Sequence, residues 1–249
     1  MSRTTVDIKT KDGVCPTSVF VPAGRGPWPG VIVYMDGPGI RRVLFDLGER
    51  IAAAGYVVLL PDLFYRAGTY EPVDPKLLFS DPARRAAHGK YFTSTSNAKA
   101  AADTRALLDY LDSRDDVAGT GVGITGYCMG GGMVLTAAAT YPDRIAAAAS
   151  FHGGRLATDA EDSPHRLAGR INARVLVIGA DNDQGFPPEQ ADRLRTAFAE
   201  AGVDHRVEIW PGALHGWTMP DIPIYNETAA ERHFEELLAL FGSTLGGQR

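Results

Sequence analysis

The stretch GVGITGYCMGGGMVLTAAATY, residues 121–141, places a single cysteine on a tight turn between two regular elements. An apolar run ending at Tyr127 precedes the cysteine, and a helical pattern rich in small residues follows it. Gly126 and Gly130 flank Cys128 as the glycines do in G-x-S-x-G, a strand-to-helix turn that carries a nucleophile. Larger side chains at the two glycine positions would collide in so sharp a turn. The pattern predicts that Cys128 is a nucleophile at the amino end of a helix.

The chemistry of a thiol suits this position. The reactive form is the thiolate, and the helix dipole and free N–H groups at a helix start favour it. We expect the N–H groups of Met129 and Gly37 to stabilise an oxyanion formed on the substrate. The alternative for Cys128 is a buried, inert side chain, as is common for free cysteines.

Three glycines of the same stretch, Gly121, Gly123 and Gly126, also match the dinucleotide pattern G-x-G-x-x-G. That pattern must follow a strand and open a helix. Here the glycines lie within the strand-like run, so the match does not indicate nicotinamide or flavin binding.

Short β-rich runs alternate with helical patterns along the chain. The strand-like runs lie at 4–10, 17–22, 30–36, 56–62, 121–127, 145–151, 173–180 and 205–212. The helical patterns lie at 41–54, 97–113, 129–141, 188–201 and 228–241. The central runs are continuously apolar, as in strands buried on both faces, whereas the first two alternate with polar residues. We expect a single α/β domain over residues 1–249, with a mainly parallel sheet covered by helices on both faces and an antiparallel hairpin at its edge.

Residues 64–96 interrupt this alternation with three prolines and no clear hydrophobic period. Long loops in compact domains are often functional lids. Because the segment follows a strand-like run, it would lie over the carboxyl edge of the sheet, where open α/β sheets bind ligands. We therefore expect a lid-like insertion there.

The composition is that of an ordinary globular protein, with 45% hydrophobic residues, 22% charged residues and a formal net charge of -5. Such a chain does not favour nucleic acid or a membrane surface, and no apolar run is long enough to span a bilayer. The start of the chain has no apolar signal region. The two cysteines make no disulfide framework, and the histidines show no metal-ligand spacing. We expect a cytoplasmic monomer or homodimer, without metal or cofactor, whose partner is a small-molecule substrate.

A nucleophile on such a turn needs a histidine base and an acid that orients it, in the chain order nucleophile, acid, histidine. His215 is the best placed of the six histidines, since it follows the last strand-like run. His152 follows another run and could line the pocket, whereas His233 lies in a helical pattern and is expected at the surface. The acid should follow the run that ends at 180, where Asp181 and Asp183 both qualify.

These residues together resemble the dienelactone hydrolase family of α/β-hydrolases. The resemblance is carried in order by PDLFYR (61–66), GYCMGG (126–131), GADNDQGFPPEQ (179–190) and GALHGW (212–217). It spans roughly residues 6 to 241. A cysteine followed by Met-Gly-Gly is fairly specific to this family, because most α/β-hydrolases use serine at the turn.

The resemblance implies an α/β-hydrolase fold and a hydrolase of lactones or esters with a Cys–His–Asp triad and a covalent acyl-enzyme. The family acid lies four residues before a proline, which favours Asp183, four before Pro187, over Asp181. A thioesterase, or another acyl-transfer thiol enzyme, would use the same triad, and a hydrolase-fold binding protein without turnover is the non-enzymatic alternative. The pocket residues expected beside the triad are Asp36, Tyr65, Arg66, His152, Phe186 and Trp217.

Two positions depart from the family pattern. Where the family carries a glutamate that holds the thiol until substrate arrives, this chain has Asp36. Where the family carries an arginine for the substrate carboxylate, this chain has Met219. Both departures argue against dienelactone itself as the substrate. The loss of the arginine favours a neutral ester or lactone, although Arg66 of the lid could replace it for an anionic substrate.

Overall fold

The computed structural model describes residues 1–246. Eight strands form one sheet, and their bounds are β1 Ser2–Thr10, β2 Gly13–Val21, β3 Trp28–Tyr34, β4 Val57–Pro61, β5 Val117–Tyr127, β6 Ile145–Phe151, β7 Arg174–Ala180 and β8 His205–Trp210. Each of the eight strand-like runs of the sequence corresponds to one of these strands.

The order of the strands across the sheet is β1-β2-β4-β3-β5-β6-β7-β8. All neighbours from β4 to β8 pair in parallel, whereas β1 pairs antiparallel with β2 and β2 antiparallel with β4. The prediction of a mainly parallel sheet with an antiparallel edge hairpin is confirmed. Because the parallel strands share one direction, the loops after β3, β5, β6, β7 and β8 all emerge at the same edge.

Within the described residues, seven α-helices accompany the sheet. Their bounds are α1 Arg42–Ala53, α2 Pro75–Ser80, α3 Pro82–Ser94, α4 Asn97–Asp112, α5 Met129–Thr140, α6 Pro188–Glu200 and α7 Glu227–Thr244. Strand β5 shows that helices cover both faces, since successive residues of a strand point to opposite sides. A Cβ at Gly123 would meet Phe241 of α7, whereas a Cβ at Gly126 would meet Val134 of α5.

The segment 64–96 differs from the expected loop, because it holds α2 and α3. Asp74 caps α2 by accepting from the Lys76 N–H, and Asp81 caps α3 by accepting from the Ala83 N–H. A proline follows each aspartate at the first helical position. The two Asp-Pro pairs are therefore signals of a helix start. The hydrophobic pattern did not predict α3, because this helix buries only His88 and Tyr91 and has no apolar stripe.

No helix within residues 1–246 combines the length and the hydropathy that a bilayer crossing requires.

Candidate active site

The nucleophile turn lies between β5 and α5. Cys128 has φ 53° and ψ -111°, a conformation that non-glycine residues rarely adopt and that is often found at functional sites. A Cβ at Gly126 would overlap the carbonyl of Gly130. A Cβ at Gly130 would lie 2.8 Å from the carbonyl oxygen of Tyr34 and 2.9 Å from that of Met35. The glycines are needed because the helix start packs directly on its own strand and on the end of β3.

Three side chains from three loops meet at this turn. His215, in the loop after β8, lies with Nε2 3.0 Å from Sγ of Cys128. Its Nδ1 donates to Oδ2 of Asp183, in the loop after β7, at 2.6 Å. Asp183 is held in turn by the Gly185 N–H, 2.7 Å from Oδ1. Asp181 does not reach the histidine, because its Oδ2 accepts from the Gly212 N–H at 2.8 Å.

The charges of these groups stabilise one another. Burial alone would lower the pKa of His215, but the hydrogen bonds with Asp183 and Cys128 outweigh it and raise that pKa to about 10. Burial alone would raise the pKa of Asp183, but the bond from His215 holds it below its ordinary value. The arrangement therefore favours a protonated imidazole between a carboxylate and the sulfur at neutral pH.

His152 lies beside Cys128 and His215 with no exposed surface. Its Nδ1 accepts from the Cys128 N–H at 3.1 Å, so the proton of the neutral ring is on Nε2, which donates to Oγ1 of Thr218 at 2.8 Å. Burial, with the neighbouring His215, lowers the pKa of His152 well below its ordinary value. His152 thus lines the pocket as expected, as a neutral group that holds the nucleophile turn.

A cavity of about 350 Å³ opens at Cys128. It is lined by Asp36, Pro38, Phe79, Cys128, His152, His215, Gly216, Ile222, Pro223 and Ile224. None of these described residues is a lysine or an arginine. Phe79 belongs to α2, so the segment 64–96 contributes to the wall of the pocket.

Each of the two expected oxyanion donors is a sequence neighbour of a residue that lines this cavity. Met129 is the first residue of α5, and its N–H has no intrahelical acceptor. Gly37 lies between Asp36 and Pro38, which both line the cavity. The Asp36 carbonyl accepts from the Gly39 N–H at 3.1 Å, so the Gly37 N–H of the same planar peptide points the opposite way.

Asp36 does not contact the thiol. Its two oxygens lie 2.5 and 2.9 Å from the guanidinium of Arg41, which also donates to Asp221 at 2.6 Å. The Asp36 side chain is 2% exposed and that of Arg41 5% exposed. One buried cation is therefore shared by two carboxylates and is not free to bind a substrate anion.

Tyr65 and Arg66 were expected in the pocket and lie elsewhere. The guanidinium of Arg66 donates to both oxygens of Asp103, at 2.9 and 2.7 Å, and also to Asp12. The hydroxyl of Tyr65 bonds to Asp103 and to Thr10 of the edge hairpin. Both side chains fasten the start of the segment 64–96 to Asp103 of α4 and to the edge hairpin, and neither is among the residues that line the cavity at Cys128.

The aromatic residues expected to form the pocket wall lie behind the residues that line the cavity. Phe186, Trp217 and Met219 are all fully buried and do not line it. The Trp217 ring packs 4.9 Å from that of His152, and Phe186 packs against Gly179 of β7. The walls are instead Phe79 and the residues 222–224, an apolar Ile-Pro-Ile run that was not among the pocket residues expected from the sequence.

His233 is also a correction, since it is fully buried rather than at the surface. Its Nδ1 bonds to the Ala230 carbonyl and its Nε2 lies 3.0 Å from the hydroxyl of Tyr127. Burial lowers the pKa of His233 to about 4.

The fold and the site together define the class of protein. A mainly parallel eight-stranded sheet carries a nucleophile turn after β5 and a histidine–aspartate pair on the loops after β8 and β7, which is the arrangement of an α/β-hydrolase. The dienelactone hydrolase family model matches residues 15–245, and the chain belongs to that family. The chain is accordingly a hydrolase that acts on ester bonds.

Individual relatives agree with this assignment. A protein of Synechocystis sp. provisionally named carboxymethylenebutenolidase is 27% identical over 97% of this chain and 99% of its own length. A structure from Klebsiella pneumoniae, provisionally titled dienelactone hydrolase, is 24% identical, with a TM-score of 0.82 over 97% of this chain and 98% of its own. A dienelactone hydrolase-like promiscuous phosphotriesterase from metagenomic libraries is 27% identical, with a TM-score of 0.75 over 98% and 99% of the two chains.

Proposed function

We propose that this hydrolase cleaves neutral esters or lactones through a covalent thioester on Cys128. The observation that carries the proposal is the position of His215, whose ring bridges Sγ of Cys128 and the carboxylate of Asp183. A thiolate and an imidazolium in contact are the activated nucleophile and the general acid that acyl transfer requires.

In the first half-reaction, Sγ of Cys128 attacks the carbonyl carbon, and the N–H groups of Met129 and Gly37 stabilise the resulting oxyanion. The C–O bond to the leaving group then breaks, and the alkoxide takes the Nε2 proton of His215. A thioester and a neutral imidazole remain. For a lactone, the new hydroxyl stays attached to the acyl chain.

In the second half-reaction, the neutral His215 takes a proton from water as the water oxygen attacks the thioester carbon. The C–S bond breaks, the acid product leaves, and the thiolate and the imidazolium are restored. The Nδ1 proton of His215 stays on the ring throughout and is donated to the carboxylate of Asp183, which fixes the orientation of the ring. A thioester substrate would follow the same steps with a thiol as the leaving group.

The pocket supports a neutral substrate. Its walls include Pro38, Phe79 and the residues 222–224, all apolar. Arg41, the buried cation bonded to the lining residue Asp36, is also bonded to Asp221. A substrate carboxylate would therefore lose its hydration without gaining a lysine or arginine as a partner, and the imidazolium of His215 is already paired with Asp183 and with the sulfur of Cys128.

The covalent step is tested by mass spectrometry. Brief mixing with an activated neutral ester should add one acyl group on the peptide that contains Cys128. Cys128→Ala should abolish both the adduct and turnover. Cys15→Ala is the matched control, because the Cys15 thiol is fully buried and burial raises its pKa to about 12. An acyl group on Cys15, or full turnover by Cys128→Ala, would contradict the proposal.

The charge of the substrate is tested with a neutral lactone and its carboxylated analogue. The wild type should show the higher kcat/KM for the neutral compound. Ile224→Arg should lower the ratio of kcat/KM for the neutral lactone to kcat/KM for its carboxylated analogue by about 10- to 150-fold. The reason is that a charge-assisted hydrogen bond to the carboxylate contributes about 1.5–3 kcal/mol. Ile224→Met introduces a long, uncharged side chain and should leave this ratio unchanged. A wild-type preference for the carboxylated compound would overturn the neutral-substrate assignment.

A further inference from the structure

We propose that the helical segment 70–94 positions the oxyanion loop, residues 36–40, and that His88 is its main positioning residue. The proposal rests on the proposed function, in which the Gly37 N–H is an oxyanion donor. It adds a role for a segment whose pocket contribution is otherwise limited to Phe79.

The first observation is a hydrogen bond between the segment and the loop. His88 of α3 is 3% exposed, and its Nε2 lies 3.0 Å from the carbonyl oxygen of Gly37. A carbonyl oxygen only accepts, so Nε2 of His88 carries a proton and donates it. The Gly37 carbonyl belongs to the peptide bond with Pro38, and the histidine therefore fixes the C-terminal side of Gly37.

The second observation is that two aromatic side chains of the same segment lie on the loop. A Cβ at Gly37 would come within 2.7 Å of the Phe92 ring, so the ring lies directly on this backbone. The Tyr70 hydroxyl accepts from the Ile40 N–H at 2.8 Å. The rings of His88 and Phe92 pack against each other, with centroids 5.0 Å apart. Three side chains of one segment thus contact both ends of the loop.

The loop needs such external contacts because of its sequence. Gly37 and Gly39 are the residues with the greatest backbone freedom, and the loop has one internal backbone hydrogen bond, from the Gly39 N–H to the Asp36 carbonyl. That bond sets the peptide on the amino side of Gly37, and His88 sets the peptide on its carboxyl side. The direction of the Gly37 N–H follows from the two together.

The chain directly before the loop is also held in place. The start of α5 packs against the carbonyls of Tyr34 and Met35, directly before the loop. A small rotation at Gly37 would therefore misdirect its N–H relative to Cys128 while leaving the nucleophile turn in place. The expected consequence is a slower acyl-transfer step with an unchanged nucleophile.

The test compares His88→Leu with His88→Gln. Leucine fills the space without a donor, whereas the glutamine amide can donate from nearly the position of Nε2. We expect His88→Leu to lower kcat about tenfold or more, short of the roughly 10²- to 10³-fold effect of losing a whole oxyanion donor. KM should change less than about threefold, and His88→Gln should recover most of kcat. Thr93→Ala, at an exposed position of the same helix, is the matched control and should behave as wild type.

A second measurement separates positioning from structural damage. Alkylation of Cys128 by iodoacetamide forms no oxyanion, so its rate should be the same in the wild type and in both His88 variants. Equal kcat in His88→Leu and the wild type would overturn the proposal. So would equal losses of kcat and of the alkylation rate in both variants, since these would indicate a distorted site.

A third variant keeps the test decisive where His88→Leu does not fold. Phe92→Ala removes the ring from Gly37 at a position that is 36% exposed. It should lower kcat with an unchanged alkylation rate, and an unchanged kcat would overturn the proposal. Failure of the proposed function is a different result, because turnover would then survive Cys128→Ala.

Discussion

Replacing Asp183 by asparagine should move the alkaline limit of activity. The change keeps the size of the side chain and removes the charge that holds the His215 proton. The carboxylate lies 2.6 Å from Nδ1 of His215, and this bond is the larger of the two that raise the pKa of the ring to about 10. Loss of the charge should therefore lower that pKa, so the imidazolium loses its proton at a lower pH.

The magnitude follows from the strength of such a bond. A hydrogen bond to a charged group contributes about 1.5–3 kcal/mol, which corresponds to about 1–2 pKa units. We expect the alkaline limb of kcat/KM to move about 1–2 pH units lower in Asp183→Asn. At neutral pH the same energy predicts a loss of about 10- to 150-fold. The upper bound is the roughly 10⁴-fold loss in serine enzymes, where the histidine also takes the wrong tautomer.

The assay is the pH profile of kcat/KM for one neutral ester, measured from pH 6 to about 11 where the variants remain folded. Asp181→Asn is the matched control, because Asp181 contacts the Gly212 N–H instead of the histidine. This variant should change kcat/KM by less than about threefold and should not shift the alkaline limb of the pH profile. A larger loss of kcat/KM in Asp181→Asn than in Asp183→Asn would refute the reasoning. So would an alkaline limb that stays at the wild-type pH in Asp183→Asn.

Three further predictions concern the framework of the site. Gly126→Ala should inactivate the enzyme and destabilise it by about 1–3 kcal/mol, measured by kcat/KM and thermal unfolding, because its Cβ would overlap the Gly130 carbonyl; unchanged activity would contradict this. Arg41→Leu should lower the free energy of unfolding in urea by about 3–5 kcal/mol by leaving Asp36 buried without its partner, and the double change with Asp36→Asn should recover part of that loss; no recovery would contradict it. The free energy of unfolding should fall as the pH drops from about 6.5 towards 4, because the unfolded chain binds a proton at His233 in this range and the folded chain does not; His233→Gln should flatten the fall, and an unchanged slope would contradict it.

Local patterns were sufficient for most of the fold. Apolar runs bounded by glycine and proline predicted all eight strands, and continuous apolarity predicted that the central ones are parallel and covered on both faces. Helices α2 and α3 were missed, because the signal sought was an apolar stripe and α3 is largely exposed. The two Asp-Pro starts would have indicated them, since capping depends only on neighbouring residues.

The sequence determined the candidate nucleophile, because a glycine turn between strand and helix is a local feature. The residues alone left the acid open between two aspartates two residues apart, and the resemblance favoured Asp183. The structure brings only Asp183 to His215, 32 positions away. The sequence also placed Tyr65 and Arg66 in the pocket, whereas hydrogen bonds to Asp103 of α4 hold them away from it.

Only the tertiary structure decided the walls and the charges of the pocket. Trp217 is two residues from His215 and yet fully buried, because the direction of a loop side chain is set by what packs on it. Asp36 pairs with Arg41, which is only five residues further along the chain. Asp221 shares the same guanidinium but is 180 positions away from Arg41. Backbone turns and strands depend on short-range sterics and hydrogen bonds, which a short window of sequence contains. The partner of a buried charge depends on which distant segments the fold brings within hydrogen-bond reach, and no short window contains that.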